Sequence, residues 1–103
     1  MADPMRIRVT EKDGLVTVRV LMSHEMETGL RKDTSGNVVP AHFIRNVTAT
    51  CQGRTVLSAQ WGTAVSKNPF LEFSFKGGKK GEKVVISWED SKGDKRTDEA
   101  TIA

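Results

Sequence analysis

Apolar residues recur at every second position in short segments along almost the whole chain, and that period leaves little choice of fold. Ile7 and Val9 alternate with Arg6 and Arg8. Beyond Lys12-Asp13-Gly14, Val16, Val18, Val20 and Met22 alternate with Thr17, Arg19 and Leu21. A period of two sends successive side chains to opposite faces of a strand, so each such segment has one face to bury. The pattern returns over 43–51, 55–61, 71–75, 84–88 and 96–102. Gln52-Gly53, the glycine-lysine stretch 77–81 and the polar stretch 90–94 supply turns between them. No window of helical length sustains a 3.6-residue period.

About seven short strands predict an all-β fold, an immunoglobulin-like antiparallel β-sandwich, with residues 1–103 forming a single domain. One cysteine and no tyrosine exclude the paired cysteines and tyrosine corner of an antibody-type domain, so only the general sandwich is expected. The predicted inner faces carry Ile7, Val9, Val16, Val18, Val20, Phe43, Val47, Ala49, Leu57, Trp61, Leu71, Phe73, Phe75, Val84, Ile86, Trp88 and Ile102. Residues 23–40 break the alternation with Gly29, Gly36, Asn37 and Pro40. They read as a long connection holding a solvated hairpin-like turn.

The residue inventory narrows the function classes. Sixteen Lys and Arg against 13 Asp and Glu give a formal charge of only +3. The aromatics sit inside the strands rather than along a basic stripe, so no nucleic-acid partner is expected. No apolar run is long enough to cross a membrane, and the N-terminal MADPMRIRVT lacks the apolar core of a secretory signal. On that basis alone the chain belongs in the cytosol, unless it is exported beside a partner that carries the signal. With two histidines, one cysteine and no tyrosine, an independent enzyme is not expected. An iron site of the superoxide-reductase kind, also carried on a sandwich, needs more histidines than these two.

The individual candidates read plainly. His24, Glu25 and Glu27 cluster in the long connection, but a zinc site needs ligands held rigidly by further groups. Adjacent charges in a loop read as solvated, and no metal or cofactor is expected. His42 reads as a partly exposed surface histidine on the outer face of a strand. Cys51 shares its face with Phe43, Val47 and Ala49 and reads as a small buried hydrophobe, although a reactive thiol or intermolecular disulfide stays open. Lys76, Lys79, Lys80 and Lys83 around Gly77, Gly78 and Gly81 lack the spacing of a phosphate loop. They read as a solvated tip ahead of an electropositive rim that steers acidic partners.

Leu15, Leu21, Ile44, Val56, Phe70 and Val85 occupy outward positions of the alternation. Scattered apolar residues are ordinary on a surface, but a set of them also fits a sheet face covered by another chain. The loop over 23–30 adds Met22, Met26 and Leu30 as adaptable apolar contacts beside charges. These nine residues are the interface candidates.

The stretch Met22-Ser23-His24-Glu25-Met26-Glu27-Thr28-Gly29-Leu30-Arg31-Lys32-Asp33 resembles the SoxZ family, the Z subunits of the Sox thiosulfate-oxidation carrier complex. The likeness continues through Val47-Thr48-Ala49-Thr50, Leu57-Ser58-Ala59-Gln60-Trp61-Gly62, Ser66-Lys67-Asn68-Pro69-Phe70-Leu71 and Thr97-Asp98-Glu99-Ala100-Thr101, in order and over nearly the whole length. The resemblance implies an immunoglobulin-like sandwich and a non-catalytic subunit paired in a heterodimer with a SoxY-like carrier. A cysteine on the glycine-rich C-terminal arm of that partner holds the sulfur substrate. It implies transient contact with other Sox enzymes and a periplasmic location, reached by co-export on the partner's twin-arginine signal. No catalytic residue carries over, and Cys51, without flanking glycines, does not match the carrier thiol. The rival expectation is a stand-alone β-sandwich binding module.

Overall fold

The structure, a computed structural model, describes residues 3–103. Seven strands run in order: β1 (Arg6–Lys12), β2 (Leu15–Leu21), β3 (Ile44–Cys51), β4 (Arg54–Gln60), β5 (Phe70–Lys76), β6 (Lys83–Asp90) and β7 (Lys95–Thr101). No helix occurs among the described residues. The strands form two antiparallel sheets, one ordered β1-β2-β5 and the other β4-β3-β6-β7, which is the expected immunoglobulin-like sandwich. Two-residue turns close the β1–β2 and β3–β4 hairpins. Both central residues of each turn are left-handed, with φ 54° and 82° at Asp13 and Gly14 and 52° and 74° at Gln52 and Gly53. That backbone matches the twist of the flanking strands.

The core lies between the sheets. Val16, Val18 and Val20 of β2 face Val47 and Ala49 of β3 and Val84, Ile86 and Trp88 of β6, and Ile102 closes one end. Each of the valine and isoleucine side chains contributes about 1.5–3 kcal/mol by leaving water.

Three of the interface candidates belong to this core. Met22, Met26 and Ile44 are 1%, 5% and 0% exposed, so they are removed from the interface candidates. Ile44 turns inward because of a β-bulge. It pairs with Asp90 while Asn46 pairs with Glu89, so Arg45 is an extra residue and the alternation changes phase there. Phe43, expected inside, is left half-buried. Met26 adopts φ 52° and accepts the Ile44 N–H on Sδ at 3.3 Å, which folds the long connection back over the core. Val56 is the extra residue of a second bulge, in β4, and is half-buried; Val85 is also half-buried. Leu15, Leu21, Leu30 and Phe70 are exposed as expected.

The sandwich is lopsided. β1 lies against β7, and Ala103 seals that flank by donating to Val9 C=O and accepting from Glu11 N–H, both at 3.0 Å. Counting across from the sealed side, β2 and β5 lie over β6 and β3, and β4 has no strand opposite it. Leu57 and Ala59 on β4, Trp61 just beyond its end, and Leu71, Phe73 and Phe75 on β5 point inward yet stay half-buried. The alternation placed these rows on inner faces correctly. Their exposure follows from the unequal strand count.

Candidate functional site

The polar centre of the molecule sits at the end of the sandwich where β6 finishes. Asp90, whose side chain is 1% exposed, accepts four hydrogen bonds on its two carboxylate oxygens. Oδ1 takes the backbone N–H groups of Lys92 and Asp94, both at 2.9 Å, which ties down the β6–β7 turn. Oδ2 takes His24 Nε2 at 2.9 Å and His42 Nε2 at 2.7 Å. Burial pushes the Asp90 carboxyl up, but the two histidine bonds and the two backbone donors outweigh it and hold the group below the usual carboxylate range.

Both histidines arrive from the long connection. Glu27 and His42 pair as an isolated antiparallel bridge, Glu27 N–H donating to His42 C=O at 2.7 Å and His42 N–H to Glu27 C=O at 3.0 Å. Beyond them Lys32 pairs with Val38, and Asp33 Oδ1 accepts from Ser35 and Asn37 N–H, so the expected hairpin-like turn is present. At the near end Asn68, in the left-handed region at φ 51°, accepts the His24 N–H on Oδ1 and donates its own N–H to His24 C=O. The clamp therefore joins the long connection, the β4–β5 connection and the end of β6. Trp88 completes the packing, its ring edge-on to His24 with centroids 5.2 Å apart.

His24, His42 and Asp90 bring three metal-type ligand atoms within 4.8 Å of one another. The donor pattern suits a hydrogen-bonded clamp better than a metal. Met26 N–H donates to His24 Nδ1 at 3.0 Å, which assigns the ring proton to Nε2, the atom facing Asp90. A metal on Nε2 needs its lone pair there and a proton on Nδ1, where the Met26 N–H already points.

The site differs from the sequence expectation in its members. His24 is joined by His42 and Asp90, not by Glu25 and Glu27. Glu27 pairs with Arg31 at 2.6 Å and Glu25 with Lys67 at 3.4 Å. His42 lies just before β3 and reaches the buried carboxylate instead of standing alone on a strand's outer face.

Cys51 is 2% exposed in the core, as its shared face implied. Burial and the nearby Glu82 push its thiol up, against a smaller opposing influence from Arg54. A protonated, enclosed thiol is a poor nucleophile. Iodoacetamide at neutral pH is accordingly expected to leave Cys51 unmodified in the folded chain and to alkylate it fully in urea, read by intact mass.

The outer surfaces differ in character. On the β1-β2-β5 sheet Leu21 pairs directly with Phe70, and Arg6, Arg8 and Arg19 line the same shallow depression. On the other sheet Ser58, Thr48, Ser87 and Thr97 form a hydroxyl row across all four strands, with Ser87 and Thr97 hydrogen-bonded at 2.9 Å.

The family described as "Sulphur oxidation protein SoxZ" matches residues 5–101. The chain belongs to the SoxZ family. Membership places it among the proteins of sulfur oxidation and agrees with the resemblance carried by residues 22–33 and the later stretches. Comparison with curated protein sequences finds no match. Among solved structures the SoxZ-family chain is similar to a superoxide reductase in the oxidised state, with 18% identity, a TM-score of 0.65, and coverage of 96% of this chain and 86% of that one. It is also similar to a variant of the superoxide reductase neelaredoxin from Archaeoglobus fulgidus in the reduced form, with 19% identity, a TM-score of 0.63, and coverage of 99% and 90%. Identities this low speak for the sandwich fold alone.

Proposed function

We propose that this SoxZ-family chain is the non-catalytic subunit of a two-protein sulfur carrier in thiosulfate oxidation. It stabilises a SoxY-like companion whose C-terminal arm cysteine holds the covalent sulfur, and it helps present that arm to other Sox enzymes. The observation that carries this reading is the state of Cys51. A chain of a sulfur-oxidation family whose one thiol is enclosed and kept protonated needs a companion to hold the sulfur. The exposed Leu21–Phe70 pair and the half-buried apolar rows of β4 and β5 provide surface for that companion. The pair works in the periplasm, reached by folded export on the companion's twin-arginine signal.

Co-isolation from the native cell tests the assembly, and intact mass after turnover of thiosulfate tests the chemistry. The expected result is one companion chain bound in equal amount, with every sulfur adduct on its cysteine. A free monomer, the stand-alone binding module, counts against the proposal. An adduct on Cys51 overturns it.

A further inference from the structure

Among the described residues, β5 is the sheet edge left without a guard. On β1 the edge is occupied at Val9 and Glu11 by Ala103. β4 is kinked by the bulge at Val56, and β7 turns Arg96 and Asp98 inward as an ion pair instead of an apolar row. β5 keeps an unbroken register with β2 over all seven residues. Met22 N–H donates to Pro69 C=O at 2.9 Å, which sets the phase of that ladder. In an antiparallel pair the backbone groups of alternate residues point to opposite edges. Leu71, Phe73 and Phe75 therefore bond to β2, and the N–H and C=O groups of Phe70, Glu72 and Ser74 line the open edge. At the end of this run Lys76 C=O accepts Arg54 Nη2 at 3.0 Å.

We propose that one extended strand of the companion subunit adds to the free edge of β5, making a fourth strand in the three-stranded sheet and roofing β4. This rests on the two-subunit reading above and assigns the surface it uses. The open place is one strand wide, because the opposing sheet has four strands and this one three. Its floor is apolar: Leu57 and Ala59 from β4 and Trp61 just beyond its end, beside Phe73 on β5. An added strand with an apolar residue at every second position covers this floor while its backbone pairs with Phe70, Glu72 and Ser74. Charge marks one end. The Arg54 guanidinium lies 5.9 Å from the Phe75 ring centroid, and neither it nor Lys76 has a carboxylate partner among the described residues. The strand that fits carries a carboxylate beside that pair.

The test uses the chain with its companion, by residue-resolved amide exchange and by affinity. Binding is expected to slow exchange at Glu72 and Ser74 by about a hundredfold or more, as for newly paired ladder amides. Ser74→Pro removes an N–H that faces the open edge, where proline is tolerated, and is expected to weaken binding at least tenfold. Ser74→Ala keeps the N–H, loses the same side-chain contact with Thr17, and is expected to bind like the parent. A wild-type complex in which Glu72 and Ser74 exchange as they do in the free chain overturns the strand addition and leaves the two-subunit reading standing. In that case Leu21→Asp, on the outer face of the same sheet, locates the contact instead. Absence of any wild-type complex removes both.

Discussion

Replacing Asp90 with asparagine is expected to lower folding stability by about 3 kcal/mol, the loss typical of a broken buried polar cluster. The thermal midpoint should fall by on the order of 15 °C for a chain of this size. The carboxylate faces two pairs of donors, Lys92 and Asp94 N–H on one oxygen and the two histidine rings on the other. An asparagine has one carbonyl oxygen and one NH2, so one donor pair must meet another donor. The effect depends on pH in a definite direction. Asp90 titrates below its ordinary range in the folded chain, so it binds fewer protons there than when unfolded. Its contribution is complete above the ordinary carboxylate value of about 3.9 and disappears as pH falls through the depressed one. Urea midpoints of parent and variant should stand well apart at neutral pH and converge in strong acid. A constant gap across the whole range would show that the charge is not what holds the clamp.

Ile44→Ala is expected to cost about 3 kcal/mol, while Leu21→Ala stays within about 0.5 kcal/mol of the parent. The alternation gives these two residues the same outward status, and the fold separates them. Ile44 is fully enclosed, so truncation leaves a cavity against the core. Leu21 is 42% exposed, and its neighbours rearrange into water. Denaturant unfolding of the two variants side by side decides the matter. Equal losses would place Ile44 back on the surface and remove the bulge as the cause.

That pair of residues also shows what the sequence could reveal. Period-two rows such as Val16, Val18 and Val20 have one buried face and a local cause, so seven strands and their turns were legible from neighbouring residues alone. The bulge at Arg45 leaves a trace, a charged residue in a slot that the alternation assigns to the core, but the local period runs on through it. The polar centre left less. Forty-eight residues separate His42 from Asp90, and the pairing of β3 with β6 brings them together, so no local spacing announces them. His24 stood out only through adjacent Glu25 and Glu27, which turn elsewhere. The half-covered rows of β4 and β5 depend on how many strands each sheet holds, a property of the assembled fold.

The enclosure of Cys51 reaches beyond packing. Sulfur compounds in low oxidation states pass readily between accessible thiolates, and oxidising surroundings couple exposed cysteines into dimers. A chain whose lone sulfhydryl is enclosed in the sandwich core neither takes up thiolate-borne sulfur readily nor cross-links to a copy of itself. Its silence makes it a safe bystander to reactive sulfur.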